Sequence, residues 1–196
     1  MYFGANQRGF GNVYAVDATD GSKQWQYKTG SRVRAAPTVV DGTVYVGNNG
    51  GTPNNPAPNL YAIRAEDGTA RWSFQVPGSV RSAPTVADGT VYFGAEDGRV
   101  YAVATSDGTE QWATRLQRYG SERSSPTVVD ETVYIGLGDR DGDDFYALDA
   151  TDGSPQWTTD LGRGVYSSPT FADGTLYIGN LNQRVYAVDA ADGTIK

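Results

Sequence analysis

One eleven-residue pattern recurs along this chain and constrains its fold more than any other feature. In the first copy, Ala15–Trp25, an Asp-Gly pair lies five and six residues after the alanine, and the tryptophan lies four residues after the glycine. Further complete copies are Ala62–Trp72, Ala102–Trp112 and Ala147–Trp157, and a fifth copy begins at Ala187. A repeat at a spacing of about 40 to 50 residues indicates stacked copies of one structural unit.

Each copy places its Asp-Gly pair between two apolar runs. This arrangement is the strongest short-range signal for a β-hairpin, because a tight primed turn needs positive φ angles, which glycine adopts without strain. We therefore expect each copy to form two antiparallel strands joined by a tight turn, with the tryptophan at a constant place on the second strand.

Four elements recur around this hairpin and predict a sheet of four strands. The first is a Pro-Thr-Val type strand, the second resembles Thr43–Asn48, the third carries Tyr-Ala and the fourth carries the tryptophan. The copies of the first strand are Ala35–Asp41, Ser82–Asp88, Ser124–Asp130 and Ser167–Asp173. No segment has the roughly 3.6-residue apolar period of a helix. Runs such as Thr-Val-Tyr-Val-Gly are typical of strands covered on both faces, so the pattern predicts the all-β fold of stacked four-stranded blades, the β-propeller.

The repeated pattern resembles the tryptophan-docking motif of the quinoprotein, or PQQ-like, β-propeller repeat family over nearly the whole chain. The first Asp of the motif is present at Asp17, Asp149 and Asp189 but is replaced by Arg64 and Ala104 in the middle copies. The resemblance implies that each tryptophan packs against the backbone of the neighbouring blade. We therefore expect structural roles for Trp25, Trp72, Trp112 and Trp157.

The strand count predicts a single partial propeller over residues 1–196. Complete blades are expected at about 31–77, 78–117 and 118–162, with incomplete blades at 1–30 and 163–196. Because the family usually closes a larger ring, this arrangement resembles an arc of a longer propeller. Unpaired strand edges and uncovered apolar faces predict self-association, as a dimer in which two arcs complete one ring.

The composition narrows the possible chemistry. The chain contains neither cysteine nor histidine, which excludes thiolate nucleophiles, disulfides, histidine bases and the commonest zinc ligands. A net charge of −7 argues against a nucleic-acid partner. No run approaches the about 20 apolar residues of a membrane span, so no transmembrane segment is expected. Met1–Gly4 matches Val91–Gly94, so the chain begins inside a strand and without a signal peptide.

The charged residues also carry a prediction about the source of the protein. Only three of the sixteen basic residues are lysine, and acidic residues outnumber basic ones. Arginine-rich, lysine-poor and acid-rich usage predicts a salt-loving archaeal source.

A first candidate site is a group of arginines at one end of the predicted channel. Arg34, Arg81 and Arg123 each lie three residues before the proline of a first strand, and Tyr166 takes that place in the last copy. First strands line the channel of a propeller, so these side chains are expected to ring one mouth and bind an anion. The alternative is that they are ordinary exposed arginines at loop ends.

A second candidate site is an acidic loop. Asp139, Asp141, Asp143 and Asp144 lie within six residues around a glycine. Hard cations prefer clustered carboxylate oxygens, so the loop is a candidate for binding Ca²⁺, although it lacks the complete pattern of an EF-hand loop. The alternative is a solvated acidic hairpin tip.

Three functions are compatible with these patterns. The favoured one is a non-catalytic binding or scaffold module, used in protein docking or extracytoplasmic sensing, with a protein or peptide partner, no required cofactor and an extracytoplasmic or cell-surface location. The first alternative is a fragment of a PQQ-dependent quinoprotein dehydrogenase, with PQQ and Ca²⁺ as cofactors. The dehydrogenases of the family carry a vicinal disulfide over the cofactor, which a chain without cysteine lacks. The second alternative is a purely structural part of a larger propeller, since a fold does not define a function.

Overall fold

The computed structural model describes residues 1–7, 10–51, 57–117, 124–138 and 145–196. Within these ranges the chain forms only β-strands and connecting turns, and none of its elements is a helix of the length and apolarity that a membrane crossing requires. The strands are β1 (Tyr2–Gln7), β2 (Phe10–Val16), β3 (Lys23–Lys28), β4 (Thr38–Val40), β5 (Thr43–Gly47), β6 (Leu60–Arg64), β7 (Ala70–Phe74), β8 (Thr85–Ala87), β9 (Thr90–Ala95), β10 (Arg99–Ala104), β11 (Glu110–Arg115), β12 (Thr127–Val129), β13 (Thr132–Gly136), β14 (Phe145–Asp149), β15 (Pro155–Thr159), β16 (Thr170–Ala172), β17 (Thr175–Gly179) and β18 (Val185–Asp189).

The strands form five antiparallel sheets in chain order. The first sheet contains β1–β3, the next three contain β4–β7, β8–β11 and β12–β15, and the last contains β16–β18. Strands that follow one another in sequence are neighbours in space, so every sheet is an up-and-down meander. The predicted all-β class and the order of the four recurring strands are confirmed. We refer to the sheets as blades 1 to 5.

The first strands of blades 2 to 5 are shorter than predicted. In blade 2 it covers Thr38–Val40, whereas the expected range was Ala35–Asp41. Pro37 precedes the strand and has no backbone N–H to donate to a neighbouring strand, so pairing begins only after it. The same shortening follows Pro84, Pro126 and Pro169.

The tight primed turn occurs in a different Asp-Gly pair from the one predicted. Between β4 and β5, Val40 pairs with Thr43, which leaves Asp41 and Gly42 as a two-residue turn with φ angles of 46° and 67°. Positive φ angles at both central residues are those of a type I′ hairpin. Equivalent turns connect the first and second strands of the later blades.

The Asp-Gly pair of the repeat itself forms a wider loop, so the prediction of a tight turn there was wrong. In blade 1 the strands end at Val16 and resume at Lys23, and Gly21 alone among the described residues between them has a positive φ angle. The carboxylates of Asp17 and Asp20 accept hydrogen bonds from the backbone N–H groups two residues further along. These bonds stabilise a loop that a two-residue turn would not need.

Neighbouring blades pack face to face through apolar clusters. Between blades 2 and 3 the cluster includes Leu60, Trp72, Val80, Phe93 and Tyr101. Similar clusters join the other neighbouring pairs. All five residues of β5 are buried, which confirms the prediction that the central strands are covered on both faces.

The first strands of successive blades are joined side by side. The hydroxyl of Thr127 donates to the carbonyl of Pro169 at 2.6 Å, and the hydroxyls of Thr38 and Thr85 donate in the same way to the prolines of the blades that follow them. These repeated hydrogen bonds hold the inner strands in one register, so equivalent residues of different blades occupy equivalent positions.

Candidate functional site

Each repeat tryptophan connects two blades. The indole N–H of Trp25, Trp72, Trp112 and Trp157 donates to the backbone carbonyl of Ala65, Thr105, Ala150 and Ala190, respectively, at 2.8 to 3.1 Å. The acceptor is always the residue directly after the third strand of the next blade. The repeat glycine of that next blade lies against the indole, since a Cβ on Gly108 would be 2.7 Å from a ring carbon of Trp72. The close approach of the ring therefore requires a glycine at this position of the repeat.

The members of the predicted anion-binding group at the channel mouth have different surroundings in the structure. Arg81 forms an ion pair with Glu96, and its Nε lies 3.4 Å from Asn49 Oδ1. Arg34 is exposed and Tyr166 is half-buried, while Arg123 lies outside the described residues. Because Glu96 offsets the charge of Arg81, a shared anion site at this mouth depends on the other members, and it stays a prediction.

The predicted calcium loop lies outside the described residues, because Asp139, Asp141, Asp143 and Asp144 all fall in the range 139–144. Calcium binding there stays a prediction. In the part of the chain that the structure describes, His, Cys, Asp and Glu side chains form no group of three or more that could hold a metal ion.

Two equivalent clefts open between blades on the side of the acidic turns. The cleft between blades 1 and 2, here called the 1–2 cleft, has a volume of about 510 Å³. Its lining residues are Tyr2, Gln24, Gly42, Arg64, Ala65, Glu66 and Arg71. The cleft between blades 4 and 5, the 4–5 cleft, has a volume of about 420 Å³ and is lined at the same repeat positions by Tyr134, Gln156, Gly174, Asp189, Ala190 and Ala191. The two clefts therefore share one backbone frame and differ in their side chains.

The 4–5 cleft is acidic. Asp130, Asp173 and Asp189 line it together with one cation, Lys196. Lys196 Nζ lies 3.1 Å from Asp189 Oδ2 and donates to the hydroxyl of Thr175. The pKa of Asp189 is lowered, first by the backbone N–H of Ala191 and then by Lys196. Lys196 is thus already paired within this cleft.

The 1–2 cleft has the opposite character, with Arg64 and Arg71 against one carboxylate, Glu66. Sequence reasoning did not predict this cleft. A signal was nevertheless present, because Arg64 replaces the motif Asp of other copies, and Arg71 stands where three other copies have glutamine, Gln24, Gln111 and Gln156. The two departures fall on different strands, so only the folded blade shows that they line one cavity.

The repeat frame can now be compared with known proteins. The sequence profile described as outer membrane protein assembly factor BamB, which is built of PQQ-like repeats, matches residues 9–141 and 126–196. The chain belongs to this family. The resemblance to PQQ-like propeller repeats is thereby confirmed, whereas the archaeal source stays a prediction. A comparison with curated protein sequences finds no significant match.

Solved structures with the same fold include proteins of different kinds. BamB from Moraxella catarrhalis shares 23% identity and a TM-score of 0.75, over 98% of this chain and 58% of that one. The quinohemoprotein alcohol dehydrogenase ADHIIG from Pseudomonas putida HK5 shares 20% identity and a TM-score of 0.70, over 84% of this chain and 33% of that one. Sqt1 from Saccharomyces cerevisiae shares 15% identity and a TM-score of 0.77, over 100% of this chain and 56% of that one.

These likenesses show the β-propeller fold and nothing narrower, because every identity is low. The chain spans less than two thirds of the length of each of these structures. One fold also carries both an assembly factor and a dehydrogenase, so the function has to be argued from the residues of this chain.

Proposed function

We propose that this chain is a non-catalytic docking module, a rigid propeller segment that binds protein through its two outer blades. The observation that carries the proposal is the exposure of apolar side chains whose counterparts are buried in the middle blades. Tyr177 of blade 5 is 46% exposed, whereas its counterpart Tyr134 in blade 4 is 6% exposed. Val185 is 78% exposed, whereas its counterpart Phe145 is fully buried.

The outer face of blade 1 has the same character. Phe3 and Phe10 are exposed, and the counterpart of Phe3 in blade 3, Phe93, is fully buried against blade 2. Contiguous exposed apolar side chains mark protein interaction surfaces. Both outer faces therefore expose apolar side chains of the kind that pack against a neighbouring blade inside the structure.

The occupant that fits these faces best is another blade of the same kind. Tyr177 lies on the outer face of blade 5. Its counterpart in blade 4, Tyr134, contacts the next blade through a hydrogen bond to the carbonyl of Ala190. Blade 1 presents Phe3 on the opposite type of face. A second copy of the chain supplies both complementary faces, so the docking module is expected to self-associate. The family description, an outer membrane assembly factor, supports a place outside the cytoplasm.

The dehydrogenase alternative requires residues that fit PQQ and calcium. In the described ranges, the rings of Trp25, Trp72 and Trp112 are buried between blades and that of Trp157 is partly buried there, so they offer little ring surface to stack on a planar quinone. Arg81, a candidate partner for the quinone carboxylates, is paired with Glu96. These residues do not fit PQQ, which favours the docking role, while the predicted calcium loop lies outside the described residues.

Light scattering tests the proposal. At micromolar concentration the chain should have the mass of a dimer, and Val185→Asp should shift it to the monomer because a carboxylate would have to be buried in the interface. The matched control is Val39→Asp, since Val39 is also an exposed valine but lies on an inner strand. A monomeric wild type, or equal effects of both substitutions, would contradict docking through the outer faces. Absorbance of a quinone that copurifies with the chain would instead favour the dehydrogenase.

A further inference from the structure

We propose that the 1–2 cleft binds an oxyanion, a carboxylate or a phosphate group, between the guanidinium groups of Arg64 and Arg71. The first argument is the change of charge at constant backbone positions. Arg64 stands where Asp17, Asp149 and Asp189 stand in other blades, and Arg71 stands where the other complete copies have glutamine. The 4–5 cleft also has a cation at the Arg71 position, Lys196, but it keeps the acidic residue Asp189, which pairs with that lysine. The 1–2 cleft has Arg64 in place of that aspartate, so it lacks this partner.

The second argument is that these two arginines lack the partners that neutralise cations elsewhere. Among the described residues, neither arginine forms an ion pair, while Arg81, Arg99 and Lys196 each do. Arg64 donates one hydrogen bond of 3.3 Å to the hydroxyl of Thr69, and that hydroxyl in turn donates to Asp67. Guanidinium groups carry several donors, so most of the donors of this pair are available to a ligand.

The carboxylates near the cleft do not form ion pairs with Arg64 or Arg71 among the described residues. Asp67 accepts hydrogen bonds from both the backbone N–H and the hydroxyl of Thr69, and these bonds lower its pKa more than Arg64 does. Burial raises the pKa of Tyr45, and Asp41 raises it further while Arg71 lowers it, so both charges lie near this tyrosine. Glu66 is the one carboxylate in the lining, and it is exposed.

The walls of the cleft are held by bonds between blades. Ala65, which lines the cleft, accepts hydrogen bonds from the indole N–H of Trp25 at 2.8 Å and from the hydroxyl of Tyr2 at 3.2 Å. These bonds hold the backbone beside Arg64 in place. The planar guanidinium fork matches the oxygen spacing of carboxylates and phosphates, so two such forks at a preformed cleft favour an oxyanion over a neutral ligand.

The binding of a small anion does not depend on the docking role, and it is measured separately. The probes are inorganic phosphate and a short glutamate-rich peptide, and the readout is the shift of the arginine side-chain N–H signals in nuclear magnetic resonance spectra. Saturable shifts of the Arg64 and Arg71 signals are expected with at least one probe. Tighter binding of phosphate assigns the ligand to phosphate compounds, and tighter binding of the peptide assigns it to carboxylates of a protein.

The variants are Arg64→Asp and Arg71→Gln, which introduce the residues that other blades carry at these positions and therefore should preserve the fold. Arg71→Gln is expected to weaken binding about tenfold, the loss of one charge-assisted contact, and Arg64→Asp should weaken it more, because its carboxylate also repels the anion. Lys196→Gln in the 4–5 cleft is the matched control and should leave binding unchanged. The absence of saturable shifts with both probes in the wild type, or an unchanged affinity of Arg64→Asp when binding is followed through the Arg71 signal, would overturn the proposal.

Discussion

The indole N–H of Trp72 lies 2.8 Å from the backbone carbonyl oxygen of Thr105, a residue of the next blade that is 33 positions further along the chain. The ring also packs against Tyr45 of its own blade, with the ring centroids 5.8 Å apart. One side chain thus joins two sheets that have separate backbone hydrogen-bond networks.

We expect Trp72→Ala to lower the free energy of unfolding by about 3–5 kcal/mol, because it removes a large buried ring and leaves a cavity between blades. Trp72→Phe keeps most of the ring contact but loses the hydrogen bond, so its cost should be about 1–2 kcal/mol. Urea denaturation measures both. Ser73→Ala, at the exposed neighbouring position, is the control and should change stability by less than about 0.5 kcal/mol. Equal costs for Trp72→Ala and Ser73→Ala would show that the tryptophan is not structural.

The repeat glycines allow the contact with the indole to be separated from the cost of a positive φ angle. Gly108 and Gly21 have φ angles of 76° and 73°, but only an added Cβ on Gly108 would meet a tryptophan, whereas nothing lies within 4 Å of one on Gly21. Gly21→Ala should therefore cost about 1–2 kcal/mol from the backbone alone, and Gly108→Ala should cost clearly more. Thermal unfolding of the two variants tests this order, and the reverse order would contradict it.

One type I′ turn lacks its glycine. Glu131 has a φ angle of 61° at the position where the other hairpins have Gly42, Gly89 and Gly174. Side chains other than glycine are strained in this region, so Glu131→Gly should raise the free energy of unfolding by about 1 kcal/mol. Glu131→Gln keeps the strained side chain while removing the charge, and it should have little effect. A stabilisation by the glutamine variant of the same size would point to charge rather than strain.

Acid should destabilise the protein through its repeat loops. The pKa values of Asp20, Asp67, Asp107 and Asp152 are lowered from the ordinary 3.8 by hydrogen bonds from the residue two positions further along. A carboxylate whose folded-state pKa is lowered adds stability above its unfolded-state pKa, and this stability is lost as the pH falls through the folded-state pKa. The melting temperature should therefore fall as the pH drops below about 4.

Replacement of these aspartates by asparagine gives the matching control, because the amide oxygen still accepts a hydrogen bond but does not titrate in this range. The joint variant at Asp67 and Asp107 should show a flatter decrease of melting temperature with acid than the wild type. Parallel curves for wild type and variant would show that other groups cause the acid sensitivity.

Much of the fold could be predicted from the spacing of particular residues. The spacing in sequence between Ala62, Gly68 and Trp72, which recurs in each copy, was sufficient to predict the strands and the blades. The turns were predicted less well, because Asp-Gly occurs both at Asp41-Gly42 and at Asp20-Gly21 and the two pairs have the same local signal. Only the length of chain between paired strands separates a two-residue hairpin from the wider loop, and that length depends on the register between strands.

The candidate sites depended on contacts that spacing does not encode. The constant spacing of Arg34 and Arg81 from the strand prolines was visible in the sequence. The ion pair of Arg81 was not, because its partner Glu96 lies in the turn between β9 and β10. In the sequence, Arg64 and Arg71 are two separate departures from the repeat. In the structure they line one cleft together with Tyr2 and Gln24 of blade 1. Strand order and blade number follow from local patterns of apolar residues and glycines, because these act through neighbouring backbone. The charge partners and clefts follow from how blades stack, because stacking brings together side chains that are tens of residues apart in the chain.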